Sequence, residues 1–346
     1  MKKVFMGALA MLLIAFGVGC AEPEEDVYTI EVSVHYGETD IKADATQMIW
    51  DEVELRTNGR LQPVIHYGAV LAHHTEALYL TRDGLADAAD IITMYFSADL
   101  PLTSILNLPF MTDFYTEQGR AFADVYANSP EVQREWKNNN VIPLWSGPTG
   151  GAVLVSKPKL ESLDDLQGLR IRATAYIAEA MSALGATPMA IGGAEYYDAA
   201  ARGIIDAVTS IPLSSVKARS MYEVTDYLYT PGIGMFTGDV VAMNLDSWNK
   251  LPEDIQQVLL DMDPYSLTAD TFEAAYRENF DFVATKMEYV QFPPDEEERL
   301  RVLASDPLKA MWLEEMEGRG LPGPEVMKMY EEALEKYNAQ PLISVG

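Results

Sequence analysis

Two stretches of this chain repeat one pattern, and the repeat limits the folds open to it. Glu76 to Arg82 reads as a helix, followed by Gly84-Leu-Ala-Asp87-Ala88 and then by the strand-like Ile91, Ile92 and Thr93. Glu195 to Arg202 reads as a second helix, followed by Gly203-Ile-Ile-Asp206-Ala207-Val208. In each copy the glycine permits the left-handed turn that ends a helix, and the aspartate opens the next strand. Units of this kind, in matching places within two halves, predict an α/β fold of two similar lobes with a ligand cleft between them.

The hydropathy pattern fills in both halves. Tyr28, Ile30, Val32, Val34 and Tyr36 alternate with Thr29, Glu31, Ser33 and His35, so a first strand is expected to end at Tyr36-Gly37. Ile41, Ala45, Met48, Ile49 and Val53 give the next helix its apolar face, and Asn58-Gly59 closes it ahead of a strand from Pro63 to Tyr67. Between the halves, the glycine-rich end of the segment Val141 to Gly151 is a candidate hinge. Farther on, Asn244 to Pro252 opens a long helix that buries Ile255, Val258, Leu259 and Met262. Pro264 interrupts it before a helical run from Leu267 to Met287, and a late helix spans Gly323 to Tyr337. The resulting division is lobe I from residues 28–149 and 238–276, and lobe II with the C-terminal helices from residues 150–237 and 277–346.

Arg172 is the residue through which this frame points to chemistry. Leu169 and Ile171 alternate with Arg170 and Arg172, after which Ile177, Ala180, Met181 and Leu184 come at helical spacing up to Gly185. Arg172 therefore stands where a strand runs out into a helix. Ligands of open α/β sheets bind beyond the carboxyl ends of the strands, so a guanidinium there is placed to grip a planar anion such as a carboxylate. Arg170 reads instead as a surface arginine paired with an acid. Other strand ends converge on the same crevice: His35 and Tyr36, Thr93 and Tyr95, Thr174 and Tyr176, and Ser210. His74, which begins the helix after Leu71, faces it too. Tyrosines at such ends can serve as apolar walls with a polar tip. His66, His73 and His74 lack a carboxylate at ligand spacing, and adjacent histidines point in different directions, so no metal site is expected.

The formal net charge is −28, and without Lys2 and Lys3 the remaining chain has 23 basic against 53 acidic residues. That balance argues against nucleic acid or anionic lipid as a partner. Lys2, Lys3 and the apolar stretch from Val4 to Val18 predict an export signal over residues 1–19. Gly19-Cys20 has the pattern of a lipoprotein processing site, so Cys20, the sole cysteine, is the expected lipid attachment point, with residues 20–27 as a charged tether. The expected location is the periplasm or the outer face of a membrane, held only by that anchor. About 320 residues remain for folding, enough for two cores.

Catalytic motifs are missing. The sequence contains no Gly-x-Ser-x-Gly elbow, no His-Glu-x-x-His and no Gly-x-x-x-x-Gly-Lys, and Gly147-Pro-Thr-Gly-Gly151 lacks the lysine of a phosphate loop. With four histidines and no recognisable carboxylate pair, the residues predict neither an enzyme nor a cofactor. A lipoprotein hydrolase on an α/β scaffold, and a binding lipoprotein of an ATP-driven importer or receptor, stay open as alternatives.

Leu163-Asp-Asp-Leu-Gln-Gly-Leu-Arg-Ile-Arg172, Glu195-Tyr-Tyr-Asp-Ala-Ala-Ala-Arg-Gly-Ile-Ile-Asp206, Leu108-Pro-Phe110 and Met243 to Pro252 stand in an order and spacing that resembles the solute-binding proteins of tripartite ATP-independent periplasmic (TRAP) transporters. The resemblance covers nearly the whole chain beyond the signal. It implies a two-lobed periplasmic binding protein fold, a long helix spanning both lobes, closure of the cleft around a small organic acid, and delivery to TRAP membrane permease subunits. It also implies that Arg172 pairs with the ligand carboxylate. Three departures bear on the ligand. Where many members have a carboxylate-holding asparagine, this chain has Ser210. Where others have a metal-binding Glu-Trp pair, it has Thr209-Ser210, so no bridging cation is expected. Met189 to Ala194 is longer than usual and has an aliphatic residue where a stacking phenylalanine often lies.

Overall fold

The alternation that opens the chain does what it predicts: Ile30 and Val32 are buried in a strand whose Thr29 and Glu31 face solvent. The structure, a computed structural model, describes residues 26–193, 195–230 and 233–338. The expected signal and Cys20 lie outside the described residues. Along the chain the strands are β1 (Tyr28–Ser33), β2 (Leu61–His66), β3 (Ala88–Ile92), β4 (Val141–Ser146), β5 (Ala152–Ser156), β6 (Arg170–Arg172), β7 (Thr187–Met189), β8 (Ala207–Pro212), β9 (Tyr227–Tyr229), β10 (Asp239–Asn244) and β11 (Glu288–Val290).

They form two sheets. The first has the order β2-β1-β3-β10-β4, with β1 parallel to β2 and β3 and β10 antiparallel to both its neighbours. The second has the order β11-β9-β5-β8-β6-β7, in which β5 runs antiparallel to β8 and β9. The chain thus leaves the first sheet after β4 and returns to it at β10. The two connecting segments run side by side: Gly147 N donates to Asp239 O at 2.5 Å, and Ala152 N donates to Gly234 O at 2.8 Å. A side chain on Gly151 would put its Cβ 3.1 Å from Gly234 O, so the close approach explains that glycine. A third connection is the helix Pro264–Ala284, which packs on the helix Ala43–Arg56 of one half and on Leu213–Ala218 of the other. It is the long helix that spans both lobes.

The repeated aspartates have the same task in both lobes. Asp87 N donates to Glu31 O and its carboxylate accepts from Glu31 N at 2.9 Å; Asp206 N donates to Arg170 O and its carboxylate accepts from Arg170 N at 3.3 Å. Each aspartate clamps the neighbouring parallel strand. Arg170 also forms the expected surface pair, with its Nη2 2.6 Å from Asp206 Oδ1.

Several boundaries differ from expectation. The first strand ends at Ser33, and Val34 to Gly37 form a loop in which Tyr36 is buried and His35 half-buried. The helix expected from Asn244 is two, Leu245–Lys250 and Glu253–Leu260. Leu251 is extended at φ −75 and ψ 137, as the residue before proline is pushed to be, so Pro252 starts a second helix rather than continuing the first. Four α-helices escape the sequence pattern altogether: Tyr115–Asn128, Pro130–Asn138, Leu213–Ala218 and Pro294–Gly318. The last of these and the helix Gly323–Asn338 seal the largest core, in which Trp312, Met316 and Tyr330 join Leu78, Phe96 and Trp136 from one half to Ile171 and Ile177 from the other.

Candidate ligand-binding cleft

Arg172 ends β6, a strand flanked by β7 and β8, and burial there would leave its guanidinium without water. The backbone compensates. Nε donates to Ile191 O at 3.0 Å, and Nη1 donates to Thr209 O at 3.0 Å and Ser210 O at 2.9 Å. Ser210 adopts a left-handed φ of 57°, uncommon for a residue with a side chain, and in that conformation its carbonyl faces the arginine while its hydroxyl accepts from Thr174 N at 3.0 Å. The guanidinium lies 5.4 Å from the centre of the Tyr196 ring, with Arg219 at 5.9 Å from the same ring. Burial pulls the Arg172 pKa below the usual arginine range, and Tyr95 and Tyr196 partly oppose the shift. Among the described residues no carboxylate lies within ion-pair distance of it. The result is a cation 3 % exposed, locked in orientation by neutral acceptors on Nε and Nη1.

The facing wall comes from the first lobe and is built differently. Lys42 Nζ is 3.0 Å from Asp239 Oδ2, 3.3 Å from His35 Nε2 and 4.1 Å from the centre of the Tyr36 ring. His35 Nδ1 in turn lies 3.1 Å from Asp90 Oδ2. Burial alone would lower the Lys42 pKa, but Asp239 and Asp90 raise it above the usual lysine range. Burial raises Asp239, and Lys42 offsets this only in part; Asp90 is raised by burial too, yet His35 and Lys42 bring it below the usual range. His35, Asp90 and Asp239 bring potential metal-ligand atoms within 4.8 Å of one another, and the Lys42 ammonium supplies the positive charge at that point. His74 lies between His73, at 3.8 Å, and Tyr95, at 4.7 Å between ring centres, tilted about 40° to each. Burial, then His73, His35 and Arg219, lower its pKa to about 4, so it is neutral at pH 7.

A cleft of about 280 Å³ lies between these walls. Of the residues expected from the sequence, Arg172, His35, Tyr36, His74, Tyr95 and Ser210 line it. Three are placed elsewhere. Thr93 is buried beneath the cleft, where its hydroxyl donates to Asn107 Oδ1 at 2.7 Å and accepts from Gly238 N at 2.9 Å. Thr174 contributes its backbone to Ser210, and the Tyr176 hydroxyl donates to Glu315 Oε2 at 3.2 Å on the helix Pro294–Gly318. Burial, with Glu315, pushes the Tyr176 pKa up to about 12. The lining also includes Tyr196, a tyrosine near a predicted helix start, and residues that the sequence pattern did not single out: Lys42, Asp239, Arg219, Phe236 and Thr149. Lys42 and Asp239 gave no signal, because 197 positions separate them.

Comparison with known proteins places this geometry in context. The sequence model of the bacterial extracellular solute-binding proteins, family 7 (DctP), matches residues 32–315. A solute-binding protein of Chromohalobacter salexigens is 28 % identical over 221 residues, 60 % of this chain and 62 % of that protein. A monocarboxylate 2-oxoacid-binding periplasmic protein of Nostoc is 27 % identical over 58 % of this chain and 56 % of its own length. The alignments thus span about six tenths of these relatives. In three dimensions, the TRAP solute-binding protein of Rhodoferax ferrireducens, crystallised with copurified benzoate, superposes with a TM-score of 0.79 over 90 % of this chain and 99 % of that one, at 20 % identity. That likeness is one of fold: two α/β lobes about a cleft. Among the described residues no helix is long and apolar enough to cross a membrane.

Proposed function

Because this chain belongs to the bacterial extracellular solute-binding proteins of family 7, we propose that it captures a small organic carboxylate and delivers it to the permease subunits of a TRAP transporter. The observation that carries the reading is the state of Arg172: buried, oriented by three carbonyls, and without a carboxylate of its own among the described residues. A ligand carboxylate would complete it. The relatives that bind a monocarboxylate 2-oxoacid and benzoate lend support from acids of the same chemical class.

In this reading residues 28–149 with 238–276 close against residues 150–237 with 277–346, the parallel segments near Gly151 and Gly234 act as the hinge, and closure excludes water from the ion pair. Low dielectric then strengthens the grip. The protein does no chemistry on its cargo, holds no cofactor, and works outside the cytoplasm, tied to the membrane through a lipid on Cys20.

Thermal-shift screening against monocarboxylates, dicarboxylates, sugar acids and aromatic acids tests capture directly, since a ligand that prefers the native state raises the melting temperature. One acid class should stabilise the protein. For that class, Arg172→Ala should weaken affinity by at least about thirtyfold, the loss expected when one partner of a buried charge pair is removed. An unchanged affinity would end the assignment of Arg172 to the ligand.

A further inference from the structure

The two walls of the cleft have opposite charge, and the asymmetry says something about the far end of the ligand. On the second lobe Arg172 and Arg219 flank one ring, that of Tyr196, and both line the cleft. On the first lobe Lys42 faces Asp239, which lines the cleft as Asp40 does, with Asp90 behind it. Even with His35 counted as a cation, that wall holds three carboxylates against two positive charges. Its acceptors are not fully occupied either, since Asp90 Oδ1 is buried with no hydrogen-bond partner among the described residues. Arg172, Tyr95 and Asp239 all line the one cleft of about 280 Å³, so one small molecule can touch both walls.

This deepens the carboxylate reading and rests on it. We propose that the cleft selects a monocarboxylate whose far end donates hydrogen bonds, a hydroxyl or an ammonium, and that it discriminates against the dicarboxylate of the same skeleton. A ligand held at Arg172 presents its other end to Asp239. A donor there gains a charge-assisted hydrogen bond, whereas a second carboxylate meets like charge in a site with little water to screen it. Lys42 does not rescue the dicarboxylate, because its ammonium is already shared by Asp239 and His35.

Isothermal titration of the purified protein with two matched sets decides the matter: butyrate, gamma-hydroxybutyrate, gamma-aminobutyrate and succinate, and their ring counterparts benzoate, para-hydroxybenzoate and terephthalate. The expected result is that, in at least one set, a donor-bearing acid binds at least about tenfold more tightly than the dicarboxylate, and that Asp239→Asn reduces this ratio by about tenfold. If Asp239→Asn does not fold, the ratios in the parent protein carry the decision. A dicarboxylate that binds as tightly as its donor-bearing counterpart, lying between Arg172 and Arg219, would overturn the proposal and leave carboxylate capture standing. No binding across both sets, together with no stabilisation by any acid class in the thermal-shift screen, would remove capture and proposal together.

Discussion

His74 shows how a single side chain in the cleft couples pH to stability. Its pKa falls to about 4 in the fold, against an ordinary value of 6.5, because burial and then His73, His35 and Arg219 disfavour the imidazolium. Between those two values the unfolded chain binds a proton that the folded chain does not, so folding stability is full above about pH 6.5 and is lost as the pH falls towards 4. A His74→Gln variant has no such proton to bind. Its melting temperature relative to the parent should therefore climb as the pH is lowered from 7 to 4 in paired calorimetric scans; a constant difference would mean that His74 titrates alike in both states. At this scale legibility depended on sequence neighbourhood. Arg172 was readable because period-two alternation marks its strand and helical spacing marks the run from Ile177 to Leu184. Lys42 was not, since its role is set by Asp239 and Asp90, which only the fold brings near. Tyr176, expected at a strand end, lies instead in the first turn of the helix Ala175–Ala183, and its hydroxyl reaches Glu315, a partner on a helix that the sequence pattern did not reveal.

That helix, Pro294–Gly318, carries four acidic residues in Asp295 to Glu298 and a proline at position 307, features that read as loop, and its fully buried apolar residues are Leu300, Ala304, Leu308, Trp312 and Met316, about one per turn. A stripe so narrow is hard to distinguish from chance in a sequence, whereas the wide apolar faces and glycine stops of the repeated units were plain. Elements are also fixed by side chains that reach across space. The carboxylate of Glu135, on the helix Pro130–Asn138, accepts from Leu102 N at 2.6 Å and Thr103 N at 2.9 Å, and so caps the short 3₁₀ turn Thr103–Asn107. Trp136 beside it donates to Thr103 Oγ1 at 2.9 Å. Glu135→Ala would leave two buried N–H groups without acceptors, at about 1–3 kcal/mol each, so urea denaturation should show a loss of roughly 2–6 kcal/mol. Glu135→Gln keeps one acceptor and should lose less than half as much. Equal losses in the two variants would assign the effect to packing rather than to the cap.

For the molecule as a whole the dominant quantity is charge. A formal net charge of −28 surrounds a cleft whose arginines attract anions only at close range. An anionic ligand approaching from solution is repelled by the protein's overall field before it feels Arg172, and that long-range field is what salt removes: the screening length falls from about 30 Å at 0.01 M to about 8 Å at 0.15 M. The buried ion pair is screened far less. Raising the salt over this range should therefore increase the association rate constant of a monoanion severalfold in stopped-flow fluorescence, with little change in dissociation. That is the reverse of ordinary electrostatic steering. The same measurement separates the two kinds of far end that the acidic wall accepts. A hydroxylated carboxylate has a net charge of −1 and should show the acceleration, while an amino acid zwitterion has none and should associate at a rate nearly independent of salt. A monoanion whose association slowed as salt rose would show that the local field of Arg172 and Arg219 outweighs the net charge at the mouth of the cleft.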